Sequence, residues 1–234
     1  MNFLMLFTMA YAQESFLDLN YLPKVNTFSS KTDFFITIED QVKLKDSLVF
    51  GETLSFSLPF AIGSIKYTRN SRYESNVFAL GMKSTRQGFR PKIELIRANT
   101  KNAWDFGLDY YGKKYAFEID WLSMNSGAIK SSAWTFSLIR QFYTDDKLSA
   151  NMNLSYTSFS LGETTLADFE FAGIGVTSDL LQLGITAKYL ITPKIFVVPS
   201  MALPIFSKVG EGEKKTITDD ATVTVGVSLY AEFN

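Results

Sequence analysis

The chain has 234 residues, a formal net charge of −1 and 15% aromatic residues, among them 21 Phe and 11 Tyr. It contains no His and no Cys, so Ser-His-Asp triads, His-ligated metal sites, disulfides and thiol nucleophiles cannot be built. The near-neutral charge offers no basic field for nucleic acid, and no apolar run reaches the roughly 18 residues of a membrane-spanning helix. We therefore predict a protein that is not an enzyme and holds no metal or cofactor. Carboxylate-only or Lys-based chemistry is the remaining enzymatic alternative.

The first residues have the pattern of an export signal. An apolar run over residues 3–7 is followed by Ala10-Tyr11-Ala12, a small-residue cleavage motif. We predict a signal peptide over residues 1–12. Residues 13–32 show no periodicity and are predicted to form an N-terminal extension or a short plug.

From Asp33 onward, apolar and polar residues alternate with a period of two, which predicts β-strands. The clearest pair is 104–110 and 115–121, joined by the turn sequence Tyr111-Gly112-Lys113-Lys114, which predicts a hairpin. With this pair, thirteen candidate segments follow one another: 33–39, 48–58, 61–69, 75–83, 90–98, 104–110, 115–121, 134–138, 148–157, 166–176, 181–189, 194–206 and 221–233.

An odd number of strands is at variance with single-chain bacterial barrels, whose strand numbers are even. Residues 58–61 lack Asn-Gly or Asp-Gly turn chemistry, so we expect a bulged continuous strand there. The predicted fold is all-β: a single antiparallel transmembrane β-barrel over residues 33–234, of about twelve strands in meander order, with ten as the alternative.

The final segment, 221–233, alternates strictly and ends on an aromatic residue. With Gly226, Leu229 and Phe233 at roughly the expected places, it resembles the C-terminal signal of bacterial outer-membrane β-barrels, a class and not one family. The resemblance implies insertion into the lipid of the bacterial outer membrane by the barrel-assembly machinery, which would read these three residues.

The orientation of the two faces separates a membrane barrel from a soluble β-barrel or sandwich. The polar face is rich in small residues and poor in Lys, whereas the exterior of a soluble barrel carries many charges. Aromatic residues stand near opposite ends of the apolar rows, as in the two interfacial girdles of a membrane barrel. The predicted girdle residues are Trp104, Tyr110, Tyr115, Trp121, Trp134 and Phe142.

If the apolar face meets lipid, charged residues of the polar face enter the lumen. The rows around Arg90 and Asp105 are neighbours in sequence, so basic and acidic groups are expected to meet in the interior. They form either a network that fills and stiffens a narrow lumen or a selectivity constriction. The predicted lumen residues are Arg90, Lys92, Glu94, Asp105, Asp109, Glu118, Asp120 and Lys188.

Glu52 is the exception on an apolar row, because it lies between Phe50 and Leu54. A carboxylate facing acyl chains is costly, so either a bulge turns Glu52 inward or it faces a protein partner of the envelope. For the whole chain we predict a small pore for ions or small solutes. The alternative is a structural or accessory subunit of an outer-membrane complex, with an occluded lumen.

Overall fold

The computed structural model describes residues 25–38, 48–70, 75–85, 88–98, 101–126, 129–161, 176–211, 214–217 and 223–233. The predicted signal peptide and residues 166–175 of one candidate strand lie outside these ranges. No helix within them is long and apolar enough to cross a membrane. The described strands are β1 (Phe28–Ile38), β2 (Leu48–Ser57), β3 (Ala61–Asn70), β4 (Ser75–Ser84), β5 (Gly88–Ala98), β6 (Lys101–Tyr111), β7 (Tyr115–Ser126), β8 (Ile129–Thr144), β9 (Leu148–Leu161), β10 (Val176–Thr192), β11 (Ile195–Glu211), β12 (Lys214–Ile217) and β13 (Val223–Phe233).

Twelve of these strands form a closed antiparallel barrel in meander order. Each strand from β1 to β11 pairs with its neighbours in sequence, and β13 pairs with both β11 and β1, which closes the ring. The short β12 pairs with β11 within the connection to β13. Within the described residues, each of the twelve ring strands is paired on both sides, as a membrane interior requires. The predicted twelve-stranded barrel is confirmed.

The route to twelve strands differs from the predicted one at residues 58–61. The expected continuous strand is wrong: β2 ends at Ser57, β3 begins at Ala61, and the Leu58 N–H donates to the Ala61 carbonyl at 2.7 Å. Pro59 occupies the second position of this turn, where its fixed φ favours chain reversal without any Asn-Gly pair.

The ring is also complete without a strand at 166–175. The end of β9 pairs directly with the start of β10, with Leu161 opposite Val176. At the other end of the chain, β1 begins at Phe28 and not at Asp33, because Phe28 pairs with Phe233 where the ring closes.

The alternation of faces in the structure is that of a barrel surrounded by lipid. On β13, Val225, Val227 and Leu229 point outward and are 42–46% exposed, whereas Thr224 and Ser228 point inward and are buried. The other long strands repeat the apolar outward face. The interior is polar except for buried apolar side chains, among them a cluster at the end away from Phe28 and Phe233, formed by Ala79, Ile96, Ala103, Leu122, Met124, Ala133 and Phe159. A soluble barrel has the reverse orientation, and an apolar exterior of this kind is stable in a bilayer.

The two ends of the barrel differ in the length of their connections. At the end that contains Phe28 and Phe233, consecutive strands are separated by only two or three residues, at 58–60, 85–87, 112–114, 145–147 and 193–194. At the other end, the connections include the longer segments 39–47 and 162–175. Outer-membrane barrels have short periplasmic turns and longer extracellular loops, which makes the end with Phe28 and Phe233 the periplasmic end.

The turn between β8 and β9 shows how one side chain sets a strand register. Asp145 Oδ1 accepts hydrogen bonds from the backbone N–H groups of Lys147 and Leu148 at 2.8 and 2.7 Å, and Oδ2 accepts one from the Tyr143 hydroxyl at 2.7 Å. The Tyr143 hydroxyl and, after it, the two backbone N–H groups hold the pKa of Asp145 below its usual value. This Asx-type turn positions β8 beside β9, the two strands that supply the uncharged part of the lumen.

Candidate functional site

All eight predicted lumen residues point into the barrel. Seven of them lie side by side on β5, β6 and β7 and form what we name the charged wall. Asp105 and Asp109 are the most enclosed, at 1% and 0% exposure. The eighth, Lys188, lies apart on β10, with its Nζ 4.4 Å from the centre of the Phe196 ring.

Lys92 is the central cation of the charged wall. Its Nζ lies 2.6 Å from Asp120 Oδ1 and 4.0 Å from Asp105 Oδ2. Asp120 is on β7, two strands away from Lys92, and the side chains meet above Gly107 of the intervening β6. A Cβ at Gly107 would collide with both Lys92 and Asp120. Within the described residues, no group of three or more His, Cys, Asp or Glu side chains is placed to hold a metal ion.

Two further ion pairs cross the wall in the same way. Lys66 Nζ on β3 lies 3.1 Å from Glu94 Oε1 on β5, above the part of β4 where Gly81 faces Glu94. Lys83 on β4 forms an ion pair with Asp109 on β6. Each pair therefore ties together strands that share no backbone hydrogen bonds, which braces this side of the barrel.

Tyr111 links the periplasmic side of the charged wall. Its hydroxyl donates to Glu118 Oε1 at 2.8 Å and accepts a hydrogen bond from Lys83 Nζ at 3.1 Å. The guanidinium of Arg90 stacks over its ring, 4.3 Å from the centre. A fourth ion pair lies on β1, where Lys31 pairs with Asp33 at 3.0 Å and Ser228 donates to the same carboxylate at 2.5 Å.

The sequence prediction did not include Lys31, Asp33, Lys66, Lys83 or Tyr111 among the lumen residues. Tyr111 was assigned to the turn but is the last residue of β6. Tyr111 lies an even number of residues after Asp105 and Asp109 on the same strand, so it faces the same side. This spacing is the sequence signal that points to a lumen position for Tyr111. The two-strand reach of Lys66 and Lys83 depends on register, which alternation alone does not define.

The inward-facing residues of β8 and β9 form a second wall of the lumen, which we name the neutral wall because it contains no charged side chain between Ser131 and Gln141 or on β9. Its polar members are hydroxyl and amide side chains, and most of them are buried. Thr135 and Thr157 share a hydrogen bond at 3.1 Å across the two strands. The polar members are Ser131, Thr135, Ser137, Gln141, Ser149, Asn151, Asn153, Ser155 and Thr157.

Similarity to solved structures agrees with this architecture. The NanC porin is 9% identical with a TM-score of 0.54, covering 86% of this chain and 98% of that one. The KdgM porin in complex with disordered oligogalacturonate is 11% identical with a TM-score of 0.51, covering 87% and 99%. LpxR from Salmonella typhimurium is 10% identical with a TM-score of 0.50, also covering 87% and 99%. No protein-family model and no curated protein sequence matches the chain.

The chain has the fold of bacterial outer-membrane β-barrel proteins. Together with its apolar exterior and closed ring, this confirms the predicted location in the bacterial outer membrane. Porins and LpxR share this fold, and a fold alone does not define a function. The chemistry of the lumen residues therefore bears on the function of this chain.

The aromatic residues of the barrel exterior lie at two levels. Around the middle of β6 and β7 and in the extracellular half of β8, outward-facing rings form a stacked series, with centroid separations of 5.7–6.2 Å from Trp104 through Phe106 and Trp121 to Trp134. Tyr110, Tyr115 and Phe142 lie near the periplasmic ends of the same strands and are exposed. Trp121, in contrast, lies at mid-strand because β7 continues to Ser126. The arrangement of the six residues as two interfacial girdles stays a prediction.

Glu52 points outward from the middle of β2, between Thr32 of β1 and Tyr67 of β3. The pairing of β2 with both neighbours is regular there, so the predicted bulge that would turn Glu52 inward is wrong. The proposed contact of this face with an envelope protein stays a proposal.

The three residues of the predicted assembly signal lie on β13 beside β1. Leu229 and Phe233 point outward and are exposed, whereas Gly226 faces the lumen beneath the ring of Phe35. A Cβ at Gly226 would collide with that ring. Gly226 is therefore needed for packing at the closure of the ring, and the recognition role of the three residues stays a prediction.

Proposed function

We propose that this protein is a non-enzymatic, narrow channel for ions or small solutes across the outer membrane. The observation that carries the proposal is the polar lining inside the closed ring, which covers the interior apart from the apolar cluster toward the extracellular end. Several of its buried polar atoms, among them Asn151 Oδ1 and Asn153 Oδ1, have no hydrogen-bond partner among the described residues. Buried polar groups in native proteins form hydrogen bonds with protein or with water. Because these atoms have no protein partner among the described residues, they favour a lumen that contains water.

The fold is consistent with this proposal, because two of the similar structures are described as porins. The ion pairs bear on the size of the solute. Lys66, Lys83 and Lys92 each extend across a strand to reach a carboxylate, so their side chains occupy part of the lumen. A lumen narrowed by such side chains suits ions and small solutes better than polymers.

A structural or accessory subunit with an occluded lumen is the second candidate. The burial of Asp105, Asp109 and Glu118 favours it, since charged groups in a wide channel would contact bulk water. In that case the ion pairs would stiffen the barrel, and the outward Glu52 would mark a contact with another envelope protein.

Conductance in planar bilayers separates the two candidates. We expect the purified protein to conduct ions, and we expect Asp105→Asn with Asp109→Asn to shift the reversal potential in a KCl gradient toward anions. The reason is that Lys83 and Lys92 would each lose a neighbouring carboxylate. Asp146→Asn, on an exposed turn, is the control and should leave the reversal potential unchanged. A wild-type protein without conductance would contradict the channel and favour the accessory role.

A further inference from the structure

Charge is divided unevenly around the lumen. The charged wall lies on β5, β6 and β7, whereas β9 contains no charged residue along its entire length. The inward-facing residues of β8 from Ser131 to Gln141 are uncharged as well. A solute in the barrel would therefore meet hydroxyl and amide groups on one side.

Four residues of this region, which we name the polar patch, contain buried atoms without a hydrogen-bond partner among the described residues. The atoms are the amide oxygens of Asn151 and Asn153 and the hydroxyls of Ser149 and Thr186. The residues are 2–6% exposed. Unpaired buried polar atoms are costly, so this cluster requires a partner that the described protein does not supply.

The strand register brings the polar patch together. Asn151 on β9 lies opposite Thr186 on β10. Asn153, two residues further along the same face, lies opposite Gly184, which has no side chain to fill the space beside the amide. Ser149 continues the row toward the periplasmic end.

The chemistry of the patch selects a class of ligand. Two amide oxygens accept hydrogen bonds, and two hydroxyls can donate or accept them. A solute with several neighbouring hydroxyl groups supplies both functions. A carboxylate would place its charge beside two amide oxygens, and an ammonium group would find no carboxylate on β8 or β9.

Lys188 is the charged residue nearest to the patch, since it lies opposite Ser149 on β10. Its ammonium group lies over the Phe196 ring of β11, on the side of β10 away from Asn151 and Asn153.

The charged side chains across the lumen do not reverse the selection either. In a ring of twelve strands, β3 and β4 lie across the lumen from β9 and β10. Their inward-facing lysines, Lys66 and Lys83, are each in an ion pair with a carboxylate. Compensated pairs present little net charge to a solute on the far side.

We propose that the polar patch binds an uncharged, polyhydroxylated solute, of the sugar or sugar-alcohol class, as it passes through the lumen. This inference rests on the proposed channel function and adds to it a preference for neutral solutes. It assigns Ser149, Asn151, Asn153 and Thr186 as the residues that select the solute.

Liposome swelling with solutes of similar size tests the preference. D-mannitol is expected to enter wild-type proteoliposomes several times faster than potassium gluconate or glucosamine hydrochloride. The isosteric double substitution Asn151→Leu with Asn153→Leu is expected to slow mannitol entry by about fivefold for each lost hydrogen bond. Entry of gluconate should change little. Thr135→Val is the matched control, because Thr135 lines the same wall but is bonded to Thr157 outside the patch.

A second measurement uses only the wild-type protein, so its result does not depend on whether the double variant folds. Mannitol added to the wild-type channel in a planar bilayer should reduce the ion current in a saturable manner, and the charged solutes should not. Equal swelling rates for all three solutes, with normal conductance, would overturn the neutral preference and leave the channel intact. A double variant that folds and conducts but admits mannitol at the wild-type rate would overturn the assignment to the patch. A wild-type protein that neither conducts nor supports swelling would overturn the channel itself.

Discussion

Gly107 is the small residue on which the central ion pair depends. Lys92 on β5 reaches Asp120 on β7 only by crossing β6, and it crosses where β6 has no side chain. The space is filled, since a Cβ at this position would collide with atoms of both partners. Breaking a buried ion pair leaves a charge uncompensated in surroundings of low polarity, which is more costly than the loss of an exposed pair.

We expect Gly107→Ala to lower the free energy of unfolding by about 2 to 4 kcal/mol, because Lys92 would be displaced from Asp120. Denaturant unfolding from lipid vesicles measures the change. Gly63→Ala is the matched control, since a Cβ at Gly63 has no neighbour within 4 Å and should cost little. In a Lys92→Ala background the effect of Gly107→Ala should shrink, and a cost that stays the same in that background would disprove the mechanism.

The residues of the charged wall also show what alternation can and cannot predict. Alternation of apolar and polar residues assigns Lys92, Asp105 and Asp120 to one face of their strands, because parity along a strand defines the face. It did not identify Lys83 as the partner of Asp109. That contact joins strands two apart, and its existence depends on the stagger of three strands, which no single segment encodes.

Among the strands, the long alternating segments were predictable and their boundaries were less so. The pair β6 and β7 was recognised with its turn because polar and apolar residues alternate over the whole hairpin. The turn at residues 58–61 is not predicted by the sequence pattern, because proline at its second position reverses the chain and no Asn-Gly pair is present. Residues 166–175 of another predicted segment lie outside the described residues, and β9 pairs directly with β10 without them.

β2 has one residue whose chemistry does not suit its surroundings. Glu52 faces outward at mid-strand, between the apolar side chains of Phe50 and Leu54 on the same row. We expect Glu52→Leu to raise the free energy of unfolding in lipid vesicles by about 1 to 2 kcal/mol, since a carboxylate on the lipid face is unfavourable. The midpoint of denaturant unfolding reports this change.

The control for Glu52 is Asp146→Leu on the exposed turn after β8, which should leave the midpoint unchanged. If the face around Glu52 instead contacts an envelope protein, Glu52→Lys should reduce the mass of the complex extracted in mild detergent. An unchanged mass together with a stabilised Leu variant would identify the residue as lipid-facing and remove the proposed partner.

For the whole barrel, the two sides of the lumen have different roles: the charged side stabilises the barrel, and the uncharged side is the one proposed to select the solute. The ion pairs of the charged wall cross between strands and hold their stagger, whereas the polar patch keeps polar atoms available on β9 and β10. A barrel with charges on every strand would have no side on which a neutral solute could replace water without meeting an ion pair. The uneven distribution therefore supports a narrow channel with a preference, and not a uniform filter.

Closure of the ring by β1 and β13 is the last step that the whole molecule requires. Phe233 lies opposite Phe28 at the periplasmic end of this seam, and the ring of Phe28 packs 4.7 Å from that of Phe56 on β2. Phe233 itself is exposed on the outside, at 54%, where another protein can contact it. We expect Phe233→Ala to reduce the fraction of folded, heat-modifiable barrel in outer membranes severalfold.

Refolding without cellular factors tests whether this effect reflects recognition or packing. If the assembly machinery reads Phe233, the Phe233→Ala protein should fold into synthetic lipid vesicles at nearly the wild-type yield, because only an exposed ring has been removed. Val225→Ala, on the same outward face of β13, is the matched control and should assemble normally in cells. An equal loss of yield in vesicles and in cells would assign Phe233 to the seam and contradict its role as a signal.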